Sequence, residues 1–266
     1  MHPSDTPSPG SAFAPGSVAF TGAGPGDPDL LTRQALRALA QADVILHDRL
    51  ISPEILAEAG PDARLIETGK RGFTASMAQG DINALIVAHA RTGARVVRLK
   101  SGDATVFGRL DEEIEACDAA HVPWRILPGI TAASAAVACI GQSLTRRGRN
   151  ASVRLLTGHD MAGFADHDWT TLSRPGEVAA IYMGKKSARF VQGRLIMHGA
   201  DRATPVTLVE NASRPDQRVL ATTLDHLPDA LAAAGLDGPV LTLYGLAPRA
   251  AARALPDLAL PQKEFA

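Results

Sequence analysis

The sequence predicts an α/β protein made of two α/β domains. In the N-terminal half, apolar β-branched runs alternate with stretches of helical spacing, which is the rhythm of a mostly parallel sheet with crossover helices. After Ser143 the chain becomes polar and basic before apolar runs resume. Its 266 residues, 45% of them hydrophobic, are enough for two domains of ordinary size. A single doubly wound domain is the alternative.

The predicted elements follow one another closely along the chain. In the N-terminal half the strands are the apolar runs 18–22, 43–48, 64–68, 94–100 and 124–129. The helices there are the amphipathic or alanine-rich stretches 30–42, 53–60, 81–93, 110–120 and 131–141. In the C-terminal half the strands are 153–158, 178–184, 205–211, 218–223 and 239–245, with a helix near 226–234.

These elements place an N-terminal α/β domain at 16–142 and a C-terminal α/β domain at 143–250. Residues 1–15 are rich in Pro, Ser and Gly and lack the basic start and apolar core of a secretory signal. We therefore expect a disordered leader there. Residues 251–266 are expected to form a frayed tail or a short dimer contact.

Composition argues against several classes of function. Lys and Arg number 27 against 28 Asp and Glu, a net charge of -1, which gives no sign of a nucleic-acid or membrane-surface partner. No apolar run approaches the roughly 20 residues that span a bilayer. The two cysteines, Cys117 and Cys139, form no metal-spaced motif and are expected to be buried free thiols of a cytoplasmic protein.

One group of histidines and aspartates has the residue types of a metal site. His159, Asp160, Asp166, His167 and Asp168 do not have the spacing of a standard ligand set. We therefore expect no metal there. The stretch DHDW is better explained as the start of a helix, with Asp168 as its cap.

The first strand leads into a glycine-rich loop, VAFTGAGPGDPDLLT, from Val18 to Thr32. Gly22 and Gly24 fit the first two positions of the dinucleotide-binding pattern G-x-G-x-x-G, but the third falls on Asp27. A carboxylate there would repel a pyrophosphate at a helix N-terminus. The spacing therefore disfavours a nicotinamide-dependent oxidoreductase.

Most other predicted strands also end in glycine or polar residues, at the place where open α/β sheets bind ligands. In chain order the motifs are GAGPGDP (22–28), DRL (48–50), GKR (69–71), RLKSGD (98–103) with FGR (107–109), PGITAASA (128–135), LTRR (144–147), TGH (157–159), YMG (182–184) and VEN (209–211). This ordered set resembles the uroporphyrinogen-III C-methyltransferases, which are tetrapyrrole methylases dependent on S-adenosylmethionine. The resemblance runs from Gly16 to Pro248. It implies the tetrapyrrole methylase fold of the class III methyltransferases, with the cofactor between two α/β domains, in a homodimer.

The resemblance also implies roles for individual residues. The residues implied to bind the cofactor are Pro25, Ser101, Gly102, Asp103, Val106, Thr131, Ala132, Met183 and Ala212. Asp48 and Lys70 are implied to be the acid–base pair that moves protons around methyl transfer. The arginines expected to bind the carboxylates of the substrate are Arg49, Arg71, Arg98, Arg109, Arg146 and Arg149.

The implied function is methylation of uroporphyrinogen III at C2 and C7, giving precorrin-2 via precorrin-1, with S-adenosylhomocysteine as the second product, for cobalamin or sirohaem biosynthesis. DRL and GKR favour this substrate. The alternatives are a methylase of a later corrin precursor and a non-catalytic tetrapyrrole-binding protein. Because few residues precede Gly16, we expect methylation without an additional upstream activity. The chain departs from the family pattern at Ala104, where a proline is usual, and this adds a backbone N–H to the cofactor loop.

Substituting Lys70 by alanine is expected to lower turnover more than it lowers affinity for the cofactor, because a proton-transferring group acts on the reaction step. Initial rates of methyl transfer and calorimetric titration with S-adenosylhomocysteine measure the two effects. A variant that keeps its turnover and loses cofactor affinity would remove Lys70 from the acid–base pair.

Overall fold

The computed structural model describes residues 13–69 and 77–250. The contacts within the chain divide it into two units, Met1–Thr131 and Ala132–Ala266. The strands of the first unit are β1 (Val18–Gly22), β2 (Val44–His47), β3 (Arg64–Glu67), β4 (Val96–Lys100) and β5 (Trp124–Leu127). Its helices are α1 (Arg33–Gln41), α2 (Pro53–Leu56), α3 (Gln79–Arg91) and α4 (Leu110–Ala119).

The first sheet has the strand order β3-β2-β4-β1-β5, and every one of these pairs is parallel. In the register of the central strand β4, Val96 lies beside Val18 of β1 and Val44 of β2. Because all five strands run the same way, the loops that follow them leave the same edge of the sheet. We call this the carboxyl edge, and its segments are residues 23–27, 48–52, 101–109 and 128–131.

Both faces of the first sheet are covered, as is usual for a parallel sheet. Successive residues of a strand point to opposite faces. Ile45 packs in one core with Leu39 of α1, whereas the next residue, Leu46, packs in the other with Ile86 of α3. The near-continuous apolar runs of the sequence therefore belong to strands that are buried on both sides.

Helix α1 begins at a cap that the sequence encodes. The hydroxyl of Thr32 accepts a hydrogen bond from the main-chain N–H of Ala35 at 3.1 Å, and a cap of this kind contributes about 1 kcal/mol. The helix then buries Ala35, Ala38 and Leu39, which lie on one stripe at spacings of three and four residues. This stripe fixes α1 against the sheet directly after the glycine-rich loop.

The second unit also holds a five-stranded sheet. Its strands are β6 (Arg154–Thr157), β7 (Ala179–Tyr182), β8 (Pro205–Glu210), β9 (Arg218–Thr223) and β10 (Val240–Tyr244). Its helices are α5 (Ala132–Cys139), α6 (Trp169–Leu172), α7 (Ala188–Met197) and α8 (Leu227–Ala234).

The second sheet is mixed, with the strand order β6-β7-β10-β8-β9. The pair β6–β7 is parallel, whereas β10 is antiparallel to both β7 and β8, and β8 and β9 form an antiparallel pair. One face packs against α5, where Ala136 meets Ala180 and Leu243. The other packs against α7, where Leu195 joins the core of Ile181.

Most predicted elements are confirmed, and the differences are local. Helix α7 was not predicted, although Ala188, Val191 and Leu195 form its buried stripe, because Gly193 and two arginines interrupt the pattern. Helix α5, which the sequence analysis placed in the N-terminal half, packs with the second sheet. The predicted cap of α6 is confirmed, since the Asp168 carboxylate accepts from the main-chain N–H of Thr171 at 3.0 Å.

Phe13 lies within the predicted leader and is nevertheless 3% exposed. The guanidinium of Arg125 lies 4.9 Å from the centre of its ring, and Arg95 donates from Nε to its carbonyl oxygen at 3.0 Å. Residues 1–12 and the predicted tail 251–266 lie outside the described residues. Within the ranges 13–69 and 77–250, no helix combines the length and hydrophobicity needed to cross a bilayer.

The two cysteines lie in different environments. Cys117 is fully buried on α4, and burial, aided by the nearby charges of Asp118 and Glu113, raises the pKa of its thiol to about 12. At pH 8 this thiol is therefore overwhelmingly protonated. Cys139, which the sequence analysis expected to be buried, is instead exposed at the end of α5, and desolvation raises the pKa of its thiol.

We therefore expect the native protein at pH 8 to react rapidly with a thiol reagent at Cys139 alone, because the thiolate is the reactive form. Spectrophotometric titration should find one rapidly reacting thiol per chain in the native protein and two in denaturant. The variant Cys139→Ser should show no fast thiol. Two fast thiols in the native protein would mean that α4 does not bury Cys117.

Candidate functional site

Three loops meet at the carboxyl edge of the first sheet. The loop after β1 and the loop after β4 are joined by a pair of backbone hydrogen bonds, from Gly24 N to Gly102 O at 3.0 Å and from Gly102 N to Gly24 O at 2.8 Å. The Asp103 carboxylate accepts from Gly129 N at 3.0 Å and from Thr105 N at 2.8 Å. It thereby ties the loop after β5 to the loop after β4.

Glycines allow this close approach of backbone to backbone. A Cβ atom on Gly22 would lie 2.6 Å from the nitrogen of Gly129 and 2.8 Å from the oxygen of Gly102. A Cβ atom on Gly129 would collide with the same oxygen of Gly102 and lie 2.8 Å from the Cα of Gly22. Because the neighbours are main-chain atoms, no side-chain adjustment can make room for a larger residue.

Asp27 explains why the loop after β1 departs from the dinucleotide pattern. Its carboxylate accepts from the main-chain N–H of Asp29 at 2.9 Å and caps a short 3₁₀ turn, Pro28–Leu30. An acidic group therefore occupies the helical start that a pyrophosphate would need. Ser52, from the loop after β2, donates to Gly26 O at 2.8 Å and so holds the second half of this loop.

Six of the predicted cofactor residues lie at this carboxyl edge. Pro25 and Gly102 are buried, and Ser101, Asp103, Val106 and Thr131 are half-buried. Val106 N donates to Asp103 O at 3.1 Å, and Thr131 follows Gly129 by two residues. Within the first unit the structure thus brings these six residues to one edge.

Asp48 follows β2 at the same edge, and an arginine of the neighbouring strand holds its carboxylate. Arg98 of β4 donates from Nη2 to Asp48 Oδ1 at 2.6 Å. The Asp48 side chain is 34% exposed, and the Arg98 side chain 3%. Arg98 also donates from Nη1 to the carbonyl oxygens of Leu46 and Leu99. The sequence analysis expected Arg98 to bind substrate, but its donors bind protein groups because β4 is covered on both faces.

Two further charged residues are buried beside Arg98. Glu113 of α4 is 0% exposed, and its Oε1 accepts from Arg98 Nε at 2.9 Å. Its Oε2 accepts from Nζ of Lys100, the last residue of β4, at 2.8 Å. We call Asp48, Arg98, Lys100 and Glu113 the charge cluster.

Two opposing effects decide the pKa values of the cations in the charge cluster. Burial has the largest effect on Lys100 and lowers its pKa, and the positive charge of Arg98 adds to this, against the opposing effect of Glu113. Burial acts in the same direction on Arg98, but the attraction of Asp48 and Glu113 together outweighs it and raises the pKa of Arg98.

Glu113 was absent from the predicted site, although the sequence contains a signal for its burial, as it does for that of Lys100. Leu110, Glu113 and Cys117 are the buried residues of α4, at spacings of three and four, so a carboxylate lies on the apolar stripe of this helix. Arg98 and Lys100 stand two residues apart in an otherwise apolar strand. A charge at such a position needs a buried partner of opposite sign.

The remaining arginines of the first unit differ in accessibility. Arg49 is exposed on the turn after Asp48. Arg109 is exposed at the start of α4 and donates from Nε and Nη2 to the two carboxylate oxygens of Glu112, both at 2.7 Å. Lys70 and Arg71 lie outside the described residues.

In the second unit, Met183 follows β7 in a left-handed conformation, with φ of 53°, and its side chain is 53% exposed. The TGH motif holds this turn. A Cβ atom on Gly158 would collide with Ser187 Oγ and lie 2.8 Å from Met183 O. Nδ1 of His159 lies 3.2 Å from the same carbonyl oxygen and donates to it in the tautomer that carries the proton on Nδ1.

Ala212 is buried between two residues that also have positive φ, Asn211 at 50° and Ser213 at 68°. Asn211 N donates to Pro239 O at 3.0 Å, and its side-chain amide donates to Asp216 at 2.7 Å. Non-glycine residues in this region are uncommon and often mark functional sites. The strain thus lies on either side of Ala212, a predicted cofactor residue, and no local sequence pattern would have revealed it.

The basic loop between α5 and β6 is organised by one of its own arginines. Arg149 donates from Nη2 to Ser143 O at 2.7 Å and from Nε to Asn150 Oδ1 at 2.9 Å. Burial, with a contribution from the charge of Arg146, lowers the pKa of Arg149. Arg146 itself is exposed. The two arginines predicted to bind substrate therefore differ, since Arg149 holds the loop and Arg146 faces solvent.

The histidines and aspartates near α6 have other partners than a metal. Nε2 of His167 lies 2.9 Å from Thr157 O, and Asp166 accepts from the indole N–H of Trp169 at 2.6 Å. Among the residues that the structure describes, no group of three or more histidine, cysteine, aspartate or glutamate side chains is placed to hold a metal ion.

Comparison with known proteins adds relatives along most of the chain. A model of the tetrapyrrole (corrin/porphyrin) methylase family matches residues 17–228. A siroheme synthase of Methylococcus capsulatus is 47% identical over 231 residues, and one of Azotobacter vinelandii is 44% identical over 230 residues. Both matches cover 86% of this chain, but 49% and 50% of those proteins. The chain thus spans about half the length of the curated relatives it matches.

Solved structures share the fold over nearly their whole length. The uroporphyrin-III C-methyl transferase of Thermus thermophilus complexed with S-adenyl homocysteine has a TM-score of 0.74 and 33% identity, over 86% of this chain and 97% of that one. A cobalt precorrin-4 methyltransferase has a TM-score of 0.77 and 29% identity, over 86% of this chain and 95% of that one. These likenesses confirm the predicted fold class.

Substituting Gly129 by alanine is expected to lower the free energy of unfolding by about 2 kcal/mol or more, because the added methyl group collides with main-chain atoms. Gly193→Ala is the matched control, since a Cβ atom there meets nothing within 4 Å. Within a helix this control is expected to be neutral or stabilising by up to about 1 kcal/mol. Thermal and urea unfolding measure both variants, and equal stabilities would contradict the close approach of the three loops.

Proposed function

Because the chain belongs to the family of tetrapyrrole (corrin/porphyrin) methylases, we propose that it transfers methyl groups from S-adenosylmethionine to C2 and C7 of uroporphyrinogen III. The product, precorrin-2, would form via precorrin-1 and feed cobalamin or sirohaem biosynthesis. The names of its relatives support this substrate. The observation that carries the proposal is the convergence, at one sheet edge, of three glycine loops and a partly exposed carboxylate held by a buried arginine.

S-adenosylmethionine would supply an electrophilic methyl group on a sulfonium. The residues present fit this ligand, since Gly24 and Gly102 have φ of 69° and 72° and place no side chain between their backbone and a bound molecule. We propose as its contacts the predicted set Pro25, Ser101, Gly102, Asp103, Val106, Thr131, Ala132, Met183 and Ala212. Asp103 would act mainly by shaping the loops, because its carboxylate already accepts from Gly129 and Thr105.

Asp48 is proposed to accept the proton that leaves the macrocycle after methylation. A proton acceptor must be reachable by substrate and fixed in direction, and Asp48 is 34% exposed with one oxygen held at 2.6 Å by Arg98. We keep Lys70 as the proposed second member of the acid–base pair. Alignment of the ring carbon with the methyl group would supply much of the rate.

The substrate is rich in carboxylates, and exposed guanidinium groups can bind these in pairs. We propose that Arg49, Arg71, Arg109 and Arg146 bind them. Arg109 would exchange its contact with Glu112 for a substrate carboxylate. Arg98 and Arg149 are proposed to act indirectly, because their donors hold protein groups.

We also propose that the protein forms a homodimer and works in the cytoplasm. The family resemblance supports the dimer, and the two free cysteines suit a reducing compartment. Sedimentation of the purified chain tests the assembly. A mass of one chain at micromolar concentration would contradict the dimer.

A methylase of a later corrin precursor is the second candidate, supported by the TM-score of 0.77 to a cobalt precorrin-4 methyltransferase. Incubation of the pure protein with methyl-labelled S-adenosylmethionine and either uroporphyrinogen III or a later precursor separates the two. Label on the later precursor alone would overturn the first assignment. Calorimetry with S-adenosylhomocysteine and with NAD tests the cofactor, and binding of NAD alone would reject both candidates.

Replacing Asp48 by asparagine is expected to lower turnover by about 100-fold or more, the usual contribution of general acid–base catalysis. Affinity for S-adenosylhomocysteine should change less than about 2-fold, because the side chain acts on the reaction step. Asp62→Asn, in an exposed turn of the same unit, is the matched control. Unchanged turnover in Asp48→Asn would favour a protein that binds a tetrapyrrole without reacting.

A further inference from the structure

The charge cluster has one member at the surface and three inside. The side chains of Arg98, Lys100 and Glu113 are 3%, 4% and 0% exposed, whereas that of Asp48 is 34% exposed. The cluster joins three elements, because Asp48 follows β2, both cations lie on β4, and Glu113 lies on α4. A ligand at the carboxyl edge can therefore meet Asp48, while the other three charges act behind it.

The four charges balance, and each buried one depends on the others. Glu113 places one carboxylate oxygen 2.9 Å from Arg98 Nε and the other 2.8 Å from Lys100 Nζ. Gln79 adds a side-chain N–H to the first of these oxygens at 3.3 Å. An unpaired buried charge is strongly unfavourable, so the loss of Glu113 would leave two adjacent cations to share Asp48.

The guanidinium of Arg98 is held on all sides. Nε binds Glu113, Nη1 lies against the carbonyl oxygens of Leu46 and Leu99, and Nη2 binds Asp48. These contacts restrict rotation of the Arg98 guanidinium plane. The direction in which Arg98 presents Nη2 to Asp48 is therefore set from the far side by Glu113.

We propose that Glu113 and Lys100 are positioning residues for methyl transfer: Glu113 orients Arg98, and through it the Asp48 carboxylate, and Lys100 balances the second half of the Glu113 charge. This inference rests on the proposed role of Asp48 as proton acceptor. It assigns a part in the reaction to two buried side chains that contact no substrate.

The pKa shifts agree with this arrangement. Burial and the neighbouring charge of Arg98 lower the pKa of Lys100, against the opposing effect of Glu113. The carboxylates raise the pKa of Arg98 in spite of its burial. Removing the negative charge of Glu113 would therefore disturb both cations at once.

The variant Glu113→Gln tests the proposal, because it keeps the shape of the side chain and removes its charge. We expect kcat to fall by about 10-fold or more while affinity for S-adenosylhomocysteine stays within about 2-fold. Adding Lys100→Met removes the surplus cation, and the double variant should recover at least about 3-fold of the lost kcat. Glu115→Gln, exposed on the same helix, is the matched control and should behave as the unmodified chain.

The outcomes separate this inference from the proposed function. Loss of turnover in Asp48→Asn together with full turnover in Glu113→Gln would overturn the positioning role and leave the function standing. Retained turnover in Asp48→Asn would instead reject the proposed role of Asp48. A double variant that is no better than Glu113→Gln would reject the charge-balance argument.

If Glu113→Gln does not fold, Lys100→Met alone carries the test, because it leaves one oxygen of the buried Glu113 without its ammonium partner. A lower kcat at unchanged cofactor affinity then supports the proposal. A change in cofactor affinity at unchanged kcat contradicts it.

Discussion

The burial of two cations on a central parallel strand is the constraint on which the first unit depends. Strand β4 lies between β1 and β2 and is covered on both faces, yet it carries Arg98 and Lys100. Such charges are tolerated only with close partners of opposite sign, and the partners come from α4 and from the loop after β2. Ion pairs, as well as apolar packing, therefore hold helix α4 and the Asp48 loop against the sheet.

The carboxyl edge of the first sheet also requires glycine at positions where backbone segments meet. Gly22, Gly102 and Gly129 bring three main-chain segments so close that a single methyl group on Gly22 or Gly129 would collide with backbone atoms. Asp103 adds a carboxylate that accepts from the loop after β5. Main-chain contacts thus join the three loops without bulky side chains.

The second unit likewise holds non-glycine residues in unfavourable backbone conformations at its loops. Met183, Asn211 and Ser213 all have positive φ without being glycine, and each is held by hydrogen bonds or close contacts from neighbouring segments. Strain of this kind persists only when the surrounding structure enforces it. Its location at the ends of β7 and β8 matches the positions singled out by the ordered motifs.

The sequence by itself determined the alternation of strands and helices, the glycine loops, the capping role of Asp168, and the family, because periodicity, caps and ordered motifs are local properties. The tertiary structure decided which strands pair, that the second sheet is mixed, and that α5 packs with it. It also decided that Arg98 and Arg149 hold protein groups, and that Glu113 faces two cations. Those outcomes depend on which distant segments meet in space, and burial changes the environment of a charge in ways that its sequence neighbours do not reveal.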